Sequence, residues 1–216
     1  SDVYKRQIMK YRFAKRCDLE RIVDLHLKVR DSYEIGFFSK MRRSFLRKYY
    51  QIHIDDPNEI ILCAETESGI ICGFCSGSLD VSKQTANLRK NKVKLALSAL
   101  SSVFLNPSLI YELWKRYRFT SGKTKDNYII TTGARSEYWT WDKSLNDPVS
   151  SVELLNTLYR IFYSLGVKEV CFEVDMINKK VLKFHKWNGA ILVNEIMLPD
   201  GRKRQIMKYD LQNKFS

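Results

Sequence analysis

The sequence predicts an α/β (α+β) domain: a mixed sheet covered by helices and interrupted by a basic helical insertion. Three observations lead there. Segments with the two-residue alternation of strands and segments with helical periodicity follow one another as β-α-α-β-β, insertion, β-α-β-α-β-β, an alternation that layers helices on a sheet. The 216 residues are 44% hydrophobic and 28% charged, the balance of a globular protein with one domain. Residues 82–126 depart from that balance, with ten lysines and arginines against Glu112 and Asp126. A chain of this length buries roughly 70% of the surface it exposes when unfolded, so no metal or disulfide staple is needed. It contains no run of about 18 uncharged apolar residues and no basic, apolar, small-residue leader, so neither a transmembrane span nor a secretory signal is expected.

Residues 11–14 alternate as a short strand and lead into a helix over 18–31, where Leu19, Ile22, Val23 and His26 share a face. A second helix follows Gly36-Phe37-Phe38, with Phe45, Tyr49 and Ile52 inward and Arg42, Arg43, Arg47 and Lys48 outward. Asp55-Asp56-Pro57-Asn58 ends it. Residues 59–65 and 70–79 read as strands joined in a hairpin about Ser68-Gly69. In the insertion, Val93, Leu97, Leu100 and Phe104 have helical spacing, as do Leu109, Leu113 and Trp114. Asn106-Pro107 between them offers an N-cap followed by proline at the first helical position, so a basic helical pair is expected. Residues 128–132 and 137–142 read as strands. Ser150-Ser151-Val152-Glu153 has the form of a capping box, opening a helix with Leu155, Leu158, Phe162 and Leu165 inward that Gly166 stops. Then come a strand over 168–175, a helix over 178–187, a strand over 190–198, a turn at Pro199-Asp200-Gly201 and a last strand over 202–211.

The net charge is +13, and residues 82–126 supply +8 of it, ten basic side chains less two acidic. An anionic partner would be met there, although a solvated helix face is the ordinary reading of such runs. The five cysteines, 17, 63, 72, 75 and 171, are an odd number. Cys72 and Cys75 have CxxC spacing but lie in a strand, where residues three apart point to opposite faces, and no second Cys or His pair completes a zinc site. Free thiols in a reducing compartment, a cytoplasmic location and no bound metal are expected. Residues 1–7 look like the translation of a sequencing adapter, which leaves 8–216 as a single domain with its insertion at 82–126. The heptapeptide KRQIMKY occurs at 5–11 and again at 203–209; nothing around either copy repeats, so it reads as an assembly fault and not as an architectural repeat.

Asn178-Lys-Lys-Val181-Leu-Lys-Phe184-His185-Lys-Trp-Asn-Gly189-Ala190 carries the most specific motif. It matches, at the asparagine, phenylalanine and glycine, the segment Asn-x-x-Ala-x-x-Phe-Tyr-x-x-x-Gly-Phe that follows the fifth strand in the GCN5-related N-acetyltransferase (GNAT) family. Valine replaces alanine, His185 replaces tyrosine, and Ala190 replaces the closing phenylalanine. The run from Asp18 to His26 and Cys72-Gly73-Phe74 add weaker matches. Gly36-Phe37-Phe38 and the basic insertion are similar to members from polysaccharide-biosynthesis clusters. The sequence thus resembles this family over about residues 9–211.

The resemblance implies a mostly antiparallel central sheet with helices on both faces, whose two central parallel strands splay apart to hold acyl-CoA. It implies that Asn178 bonds the pantetheine arm or the catalytic group, and that His185 protonates the leaving thiolate. An amine attacking a thioester needs a base for its own proton and an acid for the sulfur, and histidine titrates in a suitable range. Glu137 is the first choice of base, with Glu173 and Asp175 as alternatives, each weighed against a salt-bridge role on its strand. The family's pyrophosphate loop aligns with residues 146–151, where both glycines are missing. Pro148 there lacks a donor, and Asp147 and Glu153 add negative charge. Trp141, Asn146, Ser150, Ser151 and Asn178 remain as the cofactor-binding set, at a helix N-terminus that can still hold an anion.

The reading is an acyl-CoA-dependent N-acetyltransferase, with acetyl-CoA as donor and a small-molecule amine as acceptor. The basic insertion would suit a nucleotide-linked amino sugar. A homodimer is admissible, and a nucleic-acid partner is not expected. The competing reading is a catalytically inactive module of the same fold that docks on an anionic membrane or nucleic acid through basic helices carrying Trp114, Tyr117 and Phe119. No RNA-binding motif, Gly-rich nucleotide loop or basic tail supports it.

Overall fold

The structure is a computed structural model that describes residues 9–30, 37–120, 130–198 and 200–216. β1 (Lys10–Phe13) leads into α1 (Leu19–Arg30), and α2 (Arg43–Ile54) leads into β2 (Glu59–Glu65) and β3 (Ile71–Ser78). The insertion forms α3 (Val81–Lys90), α4 (Lys92–Leu105) and α5 (Leu109–Thr120). β4 (Ala134–Trp141), α6 (Pro148–Ser164), β5 (Glu169–Asp175), α7 (Lys179–Trp187), β6 (Ile191–Met197), β7 (Lys203–Asp210) and α8 (Leu211–Phe215) complete the order. The strands form one sheet, β1-β2-β3-β4-β5-β7-β6. Every neighbouring pair is antiparallel except β4 and β5, which run parallel, so the expected mixed, mostly antiparallel sheet is present.

Alternation along β2 shows how the sheet is covered on both sides. Ile60, Leu62 and Ala64 pack with Leu154, Leu158 and Phe162 of α6, whereas Ile61 and Cys63 pack with Ile22, Leu46 and Tyr50 of α1 and α2. A strand buried on both faces reads as a continuous apolar run, and Ile60-Ile61-Leu62-Cys63-Ala64 does. Arg12 on β1 bridges Asp18, 2.6 Å away, and Glu65 of β2. Its hydrogen bond holds the Asp18 carboxyl below the ordinary carboxylate range against the opposing effect of burial. Asp18 also accepts from the Lys15 backbone N–H at 2.7 Å, which fixes the entry into α1. His26, on the inward face of α1, lies with Nδ1 2.7 Å from the Tyr50 hydroxyl.

Several expectations are corrected. In the expected strand over 128–132, residues 128 and 129 lie outside the described residues and 130–132 are not strand; β4 begins at Ala134, just after Gly133 with its φ of +77°. The helix expected to open at a Ser150 capping box opens at Pro148, because Asp147 is the N-cap and accepts from the Ser150 N–H at 3.0 Å. Leu165 is exposed because it is the C-cap, where the chain has already left the helical face. α8, capped by Asp210, was not foreseen.

The basic helical pair is three helices. α5 starts at Leu109, two residues beyond Pro107, because the Asn106 carbonyl and side chain are engaged by Leu109 N–H and the Ser108 hydroxyl in a preceding turn. On α4 the expected apolar set is not the buried one, since Leu95, Ala99 and Val103 face the core instead. Ala99 and Ser102 are buried against α2, where Ser102 Oγ accepts from Arg42 N–H at 3.0 Å and Ser44 donates to the Ser98 carbonyl at 2.9 Å. Small hydroxyl residues let the two backbones approach closely, which turns Val93, Leu97, Leu100 and Phe104 to solvent. Residues 1–7 and 121–126 lie outside the described residues. The described cysteines are free, and Cys75 donates weakly to the Leu154 carbonyl beneath α6.

Gly77 sits where β3, β4 and α6 converge. A Cβ there would lie 2.6 Å from the Arg135 carbonyl oxygen and 2.9 Å from Phe162 Cζ, and the backbone carbonyl cannot move without breaking β4 pairing. Gly77→Ala is therefore expected to destabilise the fold by about 1–3 kcal/mol, measured by urea denaturation. An unchanged midpoint would refute this close contact.

Candidate active site

β4 and β5 pair over three residues only, Ala134 with Val170, Arg135 with Cys171 and Ser136 with Phe172. Beyond them β4 stays with β3 as far as Trp141, and β5 stays with β7 as far as Asp175. A wedge opens between 137–141 and 173–175, and the inner edge of β4 carries no strand there. The parting coincides with a bulge. Between Cys75 and Gly77 on β3 there are two steps, while their partners Trp139 and Ser136 on β4 are three apart. The extra residue turns both Glu137 and Tyr138 toward α2, since Glu137 meets the Tyr49 hydroxyl and Tyr138 packs edge-on among Phe38, Tyr49 and Tyr50 while Trp139 packs on the α6 side.

Glu137 heads a buried polar cluster. It pairs with Arg135, whose guanidinium donates also to Gln84 Oε1 at 2.8 Å, and the Tyr49 hydroxyl lies 3.5 Å from Glu137 Oε2. Gln84 in turn donates to Glu59 Oε2 at 3.0 Å, and His53 Nδ1 lies 3.1 Å from the same oxygen. Burial by itself would raise the Glu137 carboxyl, but Arg135 and His53 outweigh it and hold it below the ordinary range. Glu59 goes the other way, raised chiefly by burial. Two neighbouring carboxyls are thus driven apart, one kept as a carboxylate able to take a proton and one inclined to keep its own. Ligand atoms of His53, Glu59 and Glu137 lie within 4.8 Å of one another, yet Arg135 already occupies the cationic position beside them.

The two alternative bases are held on the strand. Glu173 is paired with Arg204 at 3.0 Å and Asp175 with Arg202 at 2.7 Å. His185 is 4% exposed, with its ring 4.4 Å from the Phe172 centroid and Nδ1 2.9 Å from the Tyr209 hydroxyl. Burial, with a smaller push from Lys214, lowers its pKa to about 4, so the ring is neutral at physiological pH. The ring, expected from the sequence to deliver a proton to the departing thiolate, ties α7 to β7 through Tyr209.

The expected cofactor-binding residues divide. Trp141 closes β4 with its ring laid on Gly73, where a Cβ would meet Cε3 at 2.3 Å, and its Nε1 is a buried donor without an acceptor. Asn178 is the N-cap of α7 on the opposite side of the wedge and makes no side-chain capping bond. Asn146 takes the left-handed conformation, φ +44°, that a glycine would otherwise supply in this loop. The Ser150 N–H is taken by the Asp147 carboxylate, and the Ser150 and Ser151 carbonyls accept from Tyr11 and Trp139. A carboxylate thus stands where the helix N-terminus would greet an anion. Sequence reasoning missed Arg135, His53, Glu59 and Gln84. Only Arg135 carried a signal, since a basic residue two before Glu137 on a strand shares its face.

No family model matches the sequence, and no curated protein matches it. Solved structures do. Spermidine N-acetyltransferase from Vibrio cholerae, in complex with CoA and spermine, aligns at 13% identity over 96% of this chain and 98% of its own, with a TM-score of 0.59. An N-acetyltransferase from Staphylococcus aureus Mu50 aligns at 15% identity over 94% and 99%, also with a TM-score of 0.59. The chain has the N-acetyltransferase fold. Both alignments run through nearly the whole of each chain.

His185 supplies a pH test. Its folded pKa of about 4 lies below the ordinary 6.5, so its contribution is complete above pH 6.5 and is lost as pH falls toward 4. Over that interval the loss amounts to at most about 3 kcal/mol. Urea denaturation at pH 7 and near pH 4 should show a smaller acid loss in His185→Gln than in the unaltered chain. An equal loss in both would contradict the buried neutral ring.

Proposed function

We propose that this chain is an acyl-CoA-dependent N-acetyltransferase that acetylates the amine of a small molecule. The observation that carries the reading is the parting of β4 from β5 after three pairs, at a bulge that presents Glu137. Acetyl-CoA, the donor, would supply the thioester, and its pantetheine amides find polar groups of this chain along the wedge: the free edge of β4, the unpartnered Trp141 Nε1 and the uncapped Asn178 side chain. Glu137, ionised through Arg135, takes the proton of the attacking amine. A thiol has a pKa near 8.5, so the departing sulfur needs no strong acid, in keeping with a neutral His185.

The acceptor we assign is an amine that also carries anionic groups, a nucleotide-linked amino sugar being the fitting class. Gln84, on the first helix of the insertion, bonds to both Glu59 and Arg135, so the basic insertion borders the Glu137 side of the sheet. A net charge of +13 suits such an acceptor better than a polyamine like the spermine bound by the Vibrio protein. A homodimer would use the β6 edge, where Ile191, Leu192, Val193 and Met197 are exposed.

Calorimetric titration with acetyl-CoA tests the donor site, and no heat of binding at millimolar ligand would sink the proposal. Glu137→Gln should leave acetyl-CoA binding intact while lowering kcat by about 10²-fold or more, with some loss of stability because Arg135 loses its counter-charge. Asp147→Ser keeps a helix cap but removes the carboxylate facing the phosphates. Acetyl-CoA should then bind about threefold more tightly. A weaker complex would show that the phosphates lie elsewhere.

A further inference from the structure

We propose that α4 and α5 form a docking surface for an anionic lipid membrane. On α4, Val93, Leu97, Leu100 and Phe104 follow one another by four, three and four residues, and are 62%, 62%, 58% and 85% exposed. Residues with that spacing form a single stripe. Leu105 and Ile110, on either side of the α4–α5 turn, are exposed as well, and so are Tyr111 and Trp114 on α5, whose rings stack with centroids 6.1 Å apart. Soluble domains rarely leave so many large apolar side chains together in water. The opposite face of α4 is committed to α2 through Ser98, Ala99 and Ser102, so the helix cannot roll the stripe inward without breaking that seam.

The charge around the stripe selects the occupant. Arg89, Lys90, Lys92 and Lys94 are exposed at its beginning, and Lys115 lies over the Tyr111 ring at 4.4 Å. Across α3, α4 and α5 the single acidic residue is Glu112, and Lys40 already pairs with it at 2.6 Å. A two-fold dimer through this face would set lysines against lysines with no acidic groups to meet them. Nucleic acid would satisfy the lysines but offers nothing to Leu97 and Leu100. An anionic bilayer satisfies both, with hydrocarbon for the stripe and headgroups for the lysines, whose long stems let the ammonium reach the interface. No helix among the described residues is long and apolar enough to cross a membrane, and α4, with 14 residues, lies along the interface instead.

The proposal does not depend on the acetyl-transfer reading, and acetyl-CoA titration of the same samples keeps the two apart. The full chain is sedimented with phosphatidylcholine vesicles and with vesicles containing about one third phosphatidylserine. Binding is expected to the second kind only, and to weaken by about tenfold or more in both Leu97→Asp/Leu100→Asp and Lys92→Glu/Lys94→Glu, at unchanged melting temperature. Both pairs of sites are exposed, so folding is not at stake. Loss in the lysine variant alone would mean polyanion binding and overturn the proposal. So would absence of vesicle binding by the unaltered chain, or self-association in centrifugation that Leu97→Asp/Leu100→Asp abolishes without any effect on vesicles.

Discussion

A guanidinium enclosed with a carboxylate, at the point where two parallel strands separate, constrains everything around it. Arg135 stands in the last stretch of β4 that pairs with β5, and Glu137 is the first residue beyond. Arg135 Nε has no partner of its own, so the cation relies on Glu137 and on the Gln84 oxygen. Removing one member of such a buried pair typically costs about 3–5 kcal/mol, because the other is left charged and dry. The bulge keeps Glu137 within reach of Arg135 while also pointing Tyr138 toward the same side. Tyr49 from α2, Gln84 from α3 and Glu59 from β2 then close around the pair. The Glu137 carboxylate and the wedge beside it are two aspects of one local distortion of β4.

Much of the fold could be read from local chemistry. Ile60 to Ala64 is an unbroken apolar run, Gly69 and Gly166 occupy left-handed positions, and Leu155, Leu158 and Phe162 recur at helical spacing and are buried. Asp147 shows where local reading slipped. Asp147-Pro148 has the same cap-then-proline pattern that had been recognised at Asn106-Pro107, but the Ser150–Glu153 spacing competed with it. Glu153 instead pairs with Arg160 at 2.5 Å. His185 was legible only in part. Its register is a property of the chain, whereas its protonation depends on Phe172, Tyr209 and Lys214, which lie on other elements. The His53–Glu59–Gln84 side of the cluster was illegible because Gln84 reaches Glu59 from a helix 25 residues further along the chain, and no local pattern announces that contact.

The insertion carries apolar side chains on two faces of α4, only one of which is buried. Helical spacing of apolar residues names a face, but not the side on which that face finds a partner. On α4 Ser102 and Ala99 share the inward face with Leu95 and Val103 and allow hydrogen bonds across a close helix seam, while Val93, Leu97, Leu100 and Phe104 face outward. The segment that supplies most of the chain's excess charge therefore also carries a row of large exposed apolar side chains, two properties that composition alone reports as separate.

Strand order sets the sequence of events by which the domain can be completed. β6 has a single neighbour, β7, and β7 also lies against β5, so Lys203–Asp210 joins the edge to the rest of the sheet. During synthesis β6 emerges before the strand that receives it, and β5 waits with one edge uncovered. Ile206, Met207 and Tyr209, the buried apolar residues of β7, thus act as a keystone: until they arrive β5 and β6 each present an open strand edge, the kind of edge through which unfinished chains associate.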